Sequence, residues 1–305
     1  MTGAGGFVGT RLCAAFRDAG WEVVAAGRAA TADGPALDVT DASAVRRAVA
    51  EAKPAVVVNL AAIAHRKRAV TPDEYDAVNH GGVRHLVDAS LAVGVERFVQ
   101  FSTASVYGEE GRTAPVREDD PLRPVGPYAE SKARAEDACA AVDSRRMACA
   151  VLRFPALYLP GWLLDVRKRA YVPGMGGRLL LEVTGGSARH SLCALEHAVE
   201  FALRAAAGEA DGVFNVADAP PYGQPEIAGV IGAMDGVSRR VRIPAAAAAL
   251  PLVAARLAPG SVGRQVRSHA WKLMRGMVLD TSRAAATGFI PRRRLDDLLR
   301  DGGVT

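Results

Sequence analysis

The sequence predicts a doubly wound α/β fold, in which helices cover both faces of a parallel sheet. Short apolar runs alternate with helical stretches from residue 2 to about residue 158, and such alternation is typical of parallel sheets. The run AVVVNLA at residues 55–61 is rich in β-branched residues, as in a strand buried on both faces. A glycine-rich turn, TGAGGFVG, leads into the first helical stretch.

The individual elements follow from these patterns. Strands are predicted at residues 21–26 (WEVVAA), 55–61 (AVVVNLA), 97–102 (RFVQFS) and 148–154 (ACAVLRF). The helices between them are predicted over Val8–Ala19, Ala42–Ala52, Asp76–Val93 and Ala129–Val142. Further along the chain, we predict a strand at residues 213–217 (VFNVA) and helices over Ile227–Met234 and Ala245–Leu257.

The opening turn has the spacing of a dinucleotide-binding site. Gly3, Gly6 and Gly9 form GxxGxxG and lead into the helical run from Val8. Glycines let the backbone turn tightly and approach a pyrophosphate, while the helix N-terminus supplies free N–H groups. Because the run WEVVAA follows at the expected distance, we predict that this turn binds NAD or NADP.

The sequence predicts a first strand that is cut short. Only Met1 and Thr2 precede Gly3, whereas the turn should follow a strand of about five residues. We expect that strand in mid-sheet, with WEVVAA and AVVVNLA on one side and RFVQFS on the other. Its truncation predicts a true start further upstream or poor folding. Alternatively, another segment fills the gap or Met1-Thr2 suffices.

The pattern of the sequence changes after Pro155. Residues 159–189 are rich in Gly, Arg and Pro and have poor periodicity. We therefore expect a nucleotide-binding domain formed by residues 1–158 with about 190–217. Residues 159–189 with 218–305 would form a smaller substrate-binding lobe.

The composition argues against several classes of protein. No apolar run reaches the roughly 18 residues needed to span a bilayer, and no basic and hydrophobic N-terminal segments indicate a secretory signal. The four cysteines form no CxxC pair, so neither a metal site nor a disulfide is expected. A cytoplasmic protein with reduced thiols fits best.

The net charge of +5 is modest, and the basic residues are spread along the chain. Small clusters at residues 66–68, 167–169 and 292–294 are each expected to be solvated surface. Nucleic-acid binding would require a continuous basic stripe or a recognisable module, which the sequence lacks. A basic balance suits a small anionic substrate.

The end of the second predicted strand bears on the choice of cofactor. An acidic residue there would hydrogen-bond the ribose 2′-OH of NAD, but the sequence has Gly27-Arg28. Arg28 could instead pair with a 2′-phosphate, which slightly favours NADP over NAD, unless Arg28 is merely exposed. Asp38 and Val39 are expected near the adenine, although a turn aspartate is an alternative interpretation.

Three side chains form a candidate catalytic group. Tyr128 and Lys132 lie four residues apart in YAESK, so a helix places them on one side. A tyrosine has a pKa of about 10, and a nearby ammonium stabilises its phenolate. The strand at residues 97–102 leads into Thr103, which would lie at the ligand edge of the sheet and polarise a substrate oxygen beside Tyr128.

Together these motifs resemble those of the extended short-chain dehydrogenase/reductases, in the NAD-dependent epimerase/dehydratase family. The resemblance extends over nearly the whole chain and includes TGAGGFVG, LDVTD, VVNLAA, VNHGGVRHLVDA, FSTASVYG, REDDPLRPVGPYAESK, LRFPALYLPG, RHSLCALEHAVEFAL, GVFNVAD and DTSRAAATGFIP. It implies a Rossmann fold, hydride transfer between nicotinamide and a carbinol or ketone, a nucleotide-sugar substrate and a homodimer.

The resemblance also implies roles for individual residues. Tyr128 would exchange the proton of the carbinol, Thr103 would orient its oxygen, and Lys132 would bond the nicotinamide ribose and lower the tyrosine pKa. Residues expected at the cofactor are Gly3, Gly6, Phe7, Val8, Gly9, Arg28, Asp38, Val39, Leu60, Ala61, Ala62, Asn79, Ser102, Tyr128, Lys132, Phe154, Pro155 and Ala156, with Ser102 in a mainly structural role. Residues expected at the substrate are Thr103, Ala104, Ser105 and Arg189.

Arg189 matches an arginine that holds the substrate diphosphate in nucleotide-sugar epimerases, although the following HSLCALE departs from the usual aromatic and acidic pattern. His65 and Arg66 are expected either near the sugar or at the surface.

The type of reaction stays partly open. Ala104 and Ser105 stand where a dehydratase would carry an acidic pair, which disfavours dehydration. Epimerisation and keto-sugar reduction both fit. The alternatives are an NADPH-dependent reductase of a non-sugar ketone and a non-catalytic relative that binds NADP(H).

Overall fold

The computed structural model describes residues 1–30, 33–64, 69–108, 114–172, 179–185, 188–244 and 276–301. The predicted helix Ala245–Leu257 and both His65 and Arg66 lie outside these residues. The strands in the described part are β1 (Val56–Asn59), β2 (Arg97–Thr103), β3 (Ala148–Phe154), β4 (Ala156–Tyr158), β5 (Leu180–Thr184), β6 (Arg189–His190), β7 (Leu192–Ala194), β8 (Gly212–Asn215), β9 (Tyr222–Gly223) and β10 (Arg240–Pro244).

The helices in the same part of the chain are α1 (Phe7–Asp18), α2 (Ala42–Ala52), α3 (Pro72–Asp76), α4 (Gly82–Val93), α5 (Pro127–Ala140), α6 (Leu164–Arg167), α7 (Leu195–Ala207), α8 (Gln224–Met234), α9 (Ser282–Ala286) and α10 (Asp297–Arg300). None of these described helices is long and apolar enough to cross a membrane.

A parallel sheet with the strand order β1-β2-β3-β8 forms the centre of the fold. The sheet continues past β1 through single bridges, since Thr2 lies between Asn59 and Ala26, and Gly27 pairs with Ala36. Strands therefore lie on both sides of the N-terminal segment: Ala26 and Ala36 on one side, and β1, β2, β3 and β8 on the other. This is the arrangement of a doubly wound fold. The predicted fold class is confirmed.

Met1 and Thr2 occupy the position of the first strand. The Thr2 N–H donates to the Val58 carbonyl at 3.0 Å, and the Leu60 N–H donates to the Thr2 carbonyl at 3.2 Å. On the other side, the Ala26 N–H donates to the Met1 carbonyl at 2.8 Å. These two residues therefore form ladder hydrogen bonds with both neighbours.

Two predictions about the sheet are wrong. The first strand does not lie beside residues 97–102, because β1 intervenes between Thr2 and β2. The predicted strand at residues 21–26 is reduced to one bridge at Ala26, because Met1-Thr2 is too short to pair with its full length.

The predicted helix Asp76–Val93 is divided. It begins earlier, at Pro72, where Thr71 and Glu74 form a reciprocal capping box, and a π-helical turn over Ala77–Gly81 separates α3 from α4. The widened turn contains Asn79, which is fully buried. Its Oδ1 accepts a hydrogen bond from the Ile63 N–H at 2.7 Å. A π turn of this kind often marks a functional position.

The core lies on both faces of the sheet, because consecutive residues of a strand point to opposite faces. Phe98 and Val151 pack with α2 and α4 on one face, while Val99 and Leu152 pack with α1 and α7 on the other. A third cluster under α8 joins Tyr158 and Tyr222 to the C-terminal residues up to Leu298.

A buried carboxylate joins this third cluster to α7. Asp218 accepts hydrogen bonds from the hydroxyls of Tyr158 at 2.7 Å and Tyr222 at 2.8 Å, and from the Ala194 N–H at 2.9 Å. Its Oδ1 also lies 2.7 Å from Nδ1 of His197. One side chain thus holds together β4, β7, α7 and β9.

We expect Asp218→Asn to lower the free energy of unfolding by about 2–4 kcal/mol, because the amide NH₂ cannot accept the tyrosine hydrogen bonds and each buried unpaired group costs about 1–3 kcal/mol. Urea denaturation measures the change. The matched control is Asp211→Asn, since Asp211 is 53% exposed and pairs with Arg97, and exposed pairs contribute about 0–1 kcal/mol. Equal destabilisation by both variants would contradict the prediction.

Candidate active site

A cavity of about 640 Å³ opens at the carboxyl ends of β1, β2 and β3, where ligands bind in doubly wound folds. Its described lining includes these sequence-predicted residues: Gly3, Gly6, Phe7, Val8, Gly9, Arg28, Leu60, Ala62, Ser102, Thr103, Ala104, Ser105, Tyr128, Phe154, Pro155 and Ala156. The predicted residues that do not line it are Asp38, Val39, Ala61, Asn79, Lys132 and Arg189.

The glycine turn is packed too closely for side chains. A Cβ on Gly9 would lie 2.3 Å from the Gly3 carbonyl oxygen, and one on Gly3 would lie 2.7 Å from the Ala61 nitrogen. Gly3 also has a φ of 68°, which favours glycine. Helix α1 begins at Phe7 with Gly6 as its cap and without a side-chain cap. Its first N–H groups therefore fit a pyrophosphate, as a dinucleotide site requires.

An aromatic side chain from the segment between β4 and α6 packs against this turn. The ring of Trp162 stacks on Phe7 with centroids 4.3 Å apart, and the guanidinium of Arg11 lies 4.3 Å from the centroid of the same Phe7 ring. Trp162 lines the cavity. It belongs to the segment in which the sequence showed poor periodicity.

The residues predicted near the adenine end occupy different places. Arg28 is exposed and lines the cavity. Asp38 instead accepts hydrogen bonds from the N–H and hydroxyl of Thr40 at 2.9 and 2.8 Å, which is the geometry of a turn aspartate. Val39 is buried, and its carbonyl contacts Nδ1 of His85 at 3.0 Å.

Thr103 and Tyr128 both line the cavity. Thr103 ends β2, and its Oγ1 accepts a hydrogen bond from the Ser105 N–H at 3.2 Å. Tyr128 is at the start of α5, and burial raises its pKa to about 12, although the Thr103 hydroxyl opposes the shift. Asp165 and Tyr75 add to the increase. The phenol therefore keeps its proton at neutral pH and can act as an acid.

Lys132 lies behind this pair, one helical turn along α5. It is 4% exposed, and its ammonium donates to the Phe101 carbonyl at 2.5 Å. Burial lowers the pKa of Lys132 to about 8, although Glu136 opposes the shift. Glu136 itself is engaged by Arg153, at 2.5 Å from Nη2 to Oε2, and by the hydroxyl of Ser102.

Asn79 is expected at the cofactor from the resemblance, but it packs against the start of α5 and is not among the described residues of the cavity lining. Its Nδ2 donates to Oγ of Ser131 at 3.0 Å, and that hydroxyl donates to the Tyr128 carbonyl at 2.9 Å. The side chain thus ties the π turn to the start of α5. Ala61 likewise takes part in a hydrogen bond within the fold, since its N–H donates to Oδ1 of Asn59 at 3.0 Å.

The basic residues at 167–169 and Arg189 are arranged differently from the prediction. The cluster at residues 167–169 is half-buried rather than solvated, and Lys168 and Arg169 line the cavity. Lys168 donates to Asp165 at 2.6 Å. Arg189 is exposed on β6 beside Gly223 and lies outside the described lining. The fold therefore presents other cations to the cavity.

Sequence reasoning missed several residues of the cavity wall. Trp162, Asp165, His190, Ser191 and Met277 all line it. They come from three segments that only the tertiary structure brings together. One feature of the sequence could have indicated part of this wall. Residues 165–169 carry a high density of charge and lie close in sequence to predicted cofactor residues.

Comparison with known proteins places the chain in a family. Residues 1–217 match the NAD dependent epimerase/dehydratase family, and the chain belongs to that family. The resemblance drawn from the motifs is confirmed.

Several curated relatives are similar to this chain. The dTDP-4-dehydrorhamnose reductase of Streptomyces griseus is 43% identical over 140 residues, which cover 45% of this chain and 43% of the relative. The UDP-glucose 4-epimerase of Azospirillum brasilense is 32% identical over 146 residues, covering 45% and 42%. The chain thus spans less than half the length of these two relatives. The 3-diazoavenalumate denitrifying reductase of a Streptomyces species is 31% identical over 232 residues, covering 72% and 76%.

Solved structures share the fold over almost the whole chain. The UDP-glucose 4-epimerase of Thermus thermophilus, in complex with NAD, has a TM-score of 0.71 at 23% identity and covers 97% of this chain and 94% of its own. WbmG of Bordetella bronchiseptica, in complex with NAD and UDP, has a TM-score of 0.73 at 22% identity, covering 98% and 91%.

The environment of Lys132 predicts a gain in stability when its charge is removed. Its pKa is about 8 in the folded chain against 10.5 in the unfolded chain. Below pH 8 both states hold the proton, and the folded state carries the full desolvation cost. Between pH 8 and 10.5 the unfolded chain binds more protons, so that cost falls as the pH rises.

We therefore expect Lys132→Met to raise the free energy of unfolding of the cofactor-free protein by about 1–3 kcal/mol at pH 7, with a smaller gain at pH 9.5. The Phe101 carbonyl keeps its hydrogen bond from Gln100 at 2.8 Å. Urea denaturation at both pH values measures this, with the exposed Lys53→Met as a control. A variant less stable than the wild type at pH 7 would refute it.

Proposed function

We propose that this chain catalyses NAD(P)-dependent hydride transfer at a carbinol or ketone carbon of a nucleotide sugar, as a 4-keto reductase or a 4-epimerase. The observation that carries the proposal is that Thr103 and Tyr128 line the same cavity as the uncapped glycine turn of α1. Similarity to a dTDP-4-dehydrorhamnose reductase and a UDP-glucose 4-epimerase supports the substrate class.

The residues present fit a dinucleotide. The N–H groups that follow Gly6 would hold the pyrophosphate, and Lys132 would reach the nicotinamide ribose from behind Tyr128. Phe154, Pro155 and Ala156, at the end of β3, would flank the nicotinamide. The cofactor, when bound, supplies or accepts the hydride.

Tyr128 and Thr103 would handle the proton. In reduction, the Tyr128 phenol donates its proton to the oxygen of the ketone, while Thr103 holds that oxygen by a hydrogen bond. A pKa of about 12 keeps the phenol protonated at neutral pH, which suits this donor role. In the oxidation of a carbinol, the same side chain would act as phenolate and accept the proton.

The choice between reaction types follows from the residues after Thr103. Ala104 is buried in a short 3₁₀ helix over Ala104–Tyr107, and neither it nor Ser105 carries a carboxyl group. Elimination of water needs a second acid and base beside the sugar carbon. We therefore propose epimerisation or reduction rather than dehydration.

A second candidate function is reduction of a compound that is not a sugar. The 3-diazoavenalumate denitrifying reductase aligns with 72% of this chain, more than the two sugar-nucleotide relatives cover. Mass spectrometry of nucleotides that co-purify with the protein would distinguish the two. A bound nucleotide sugar supports the first candidate, whereas a bound dinucleotide alone together with turnover of an aryl ketone supports the second.

We expect Tyr128→Phe to abolish hydride transfer and to keep cofactor binding, because it removes only the exchangeable proton. General acid catalysis contributes roughly 10²–10⁴-fold to the rate. Oxidation of NADPH with dTDP-4-dehydrorhamnose, and interconversion of UDP-glucose and UDP-galactose, are the assays.

Tyr171→Phe is the matched control for this variant. Its hydroxyl donates to Asp235 at 2.6 Å, outside the described cavity lining, so the same chemical change should leave the rate within about twofold of the wild type. Retention of more than a tenth of the wild-type rate in Tyr128→Phe would remove Tyr128 from the mechanism.

We also propose a preference for NADPH over NADH, because Arg28 lines the cavity where a 2′-phosphate would lie. Arg28→Asp should reverse or erase the preference in fluorescence titrations with both cofactors. Arg17→Asp serves as the control, since Arg17 pairs with Asp33 at 3.2 Å outside the described lining. Equal affinity of the wild type for both cofactors would show that Arg28 has no part in the choice.

A further inference from the structure

His190 is a buried histidine in the cavity wall. It is 2% exposed, pairs with Tyr222 across β6 and β9, and lines the same cavity as Thr103 and Tyr128. Its Nε2 has no hydrogen-bond partner in the described part of the chain. Buried polar atoms are normally paired, and an unpaired one costs about 1–3 kcal/mol. An atom of this kind beside a ligand cavity points to a group of the ligand.

A second buried histidine shows what a purely structural role requires. His197 is 3% exposed, and both of its ring nitrogens are engaged. Its Nδ1 lies 2.7 Å from Oδ1 of Asp218, and its Nε2 accepts a hydrogen bond from the Arg293 N–H at 3.0 Å. His190 lacks such a pairing at Nε2, although it is equally buried.

The backbone around His190 is closely packed. A Cβ on Gly276 would lie 2.0 Å from the Arg189 carbonyl oxygen and 3.0 Å from Nδ1 of His190, so this position has no room for a side chain. Ser191, the next residue, is held by its N–H to the Met277 carbonyl at 2.7 Å. The backbone that carries His190 is therefore held in place.

The electrostatic environment of His190 defines which chemical group of a ligand it can bind. Burial, together with the positive charge of Arg169, lowers the pKa of His190 to about 3, so the imidazole is neutral at ordinary pH. A neutral ring offers either one lone pair or one N–H at Nε2, according to its tautomer. A hydroxyl group of a ligand suits both tautomers, because it can donate and accept a hydrogen bond. A cationic ligand group is disfavoured, because the guanidinium of Arg169 lies nearby.

We propose that His190 is a specificity-determining residue whose Nε2 forms a hydrogen bond with a hydroxyl group of the sugar portion of the substrate. The inference rests on the proposed function, since it places the sugar rather than the nucleotide against β6. It also gives the HS pair after Arg189 a role that neither motif nor spacing indicated.

Calorimetric titration of the NADPH-loaded protein with UDP-glucose and with UDP tests the proposal. His190→Phe keeps a ring and removes the polar atom, and it should weaken UDP-glucose about tenfold and leave UDP unchanged within about twofold. His190→Gln places a polar atom near the position of Nε2 and should recover most of the affinity for UDP-glucose. In ¹⁵N-histidine NMR spectra of the wild type, UDP-glucose but not UDP should shift the Nε2 resonance of His190.

A control variant and three possible outcomes distinguish failure of the His190 proposal from failure of the proposed function. His80→Phe removes a histidine that contacts Asp76 outside the described lining, and it should bind both ligands like the wild type. Equal affinity of His190→Phe and the wild type for UDP-glucose, or an equal loss for UDP and UDP-glucose with a lower melting temperature, would overturn the proposal. A wild type that binds neither UDP-glucose nor dTDP-glucose would instead refute the proposed function.

Discussion

The buried ion pair of Glu136 and Arg153 is the interaction on which the arrangement of the site depends. Glu136 belongs to α5 and Arg153 to β3, and both side chains are about 5% exposed. Arg153 also donates to the hydroxyl of Tyr107 at 2.7 Å, and that hydroxyl donates to Asn215 on β8 at 2.8 Å. A buried pair adds little net stability but costs about 3–5 kcal/mol when one partner is removed, so it fixes α5 against the strands.

The same ion pair helps to explain why the pKa of Lys132 is lowered. Glu136 is already neutralised by Arg153, so the second cation in this cluster has no carboxylate of its own and is held by a carbonyl. Its pKa falls toward 8 because the charge is buried without full compensation. Such destabilisation is common where function requires a group that folding disfavours.

Much of the site was predictable because its residues lie in local motifs. The glycine turn, Thr103 and the Tyr128–Lys132 spacing are each set by a few neighbouring residues and by the period of a helix or strand. The structure places the glycines, Thr103 and Tyr128 in one cavity. By contrast, Asp38 was a turn residue, and Arg189 lies outside the described wall. Their predicted positions depended on matches to a family rather than on local geometry.

Local patterns of the chain predicted the parallel sheet, the succession of strands and helices and the residues at the carboxyl ends of the strands, because strand–helix alternation and glycine spacing are local properties. They did not predict which strands lie beside the first strand or which residues complete the cavity. Trp162 stacks on Phe7, and His190 meets the backbone of Gly276. These contacts join segments far apart in sequence, and they depend on how those segments pack against one another, which no local period encodes.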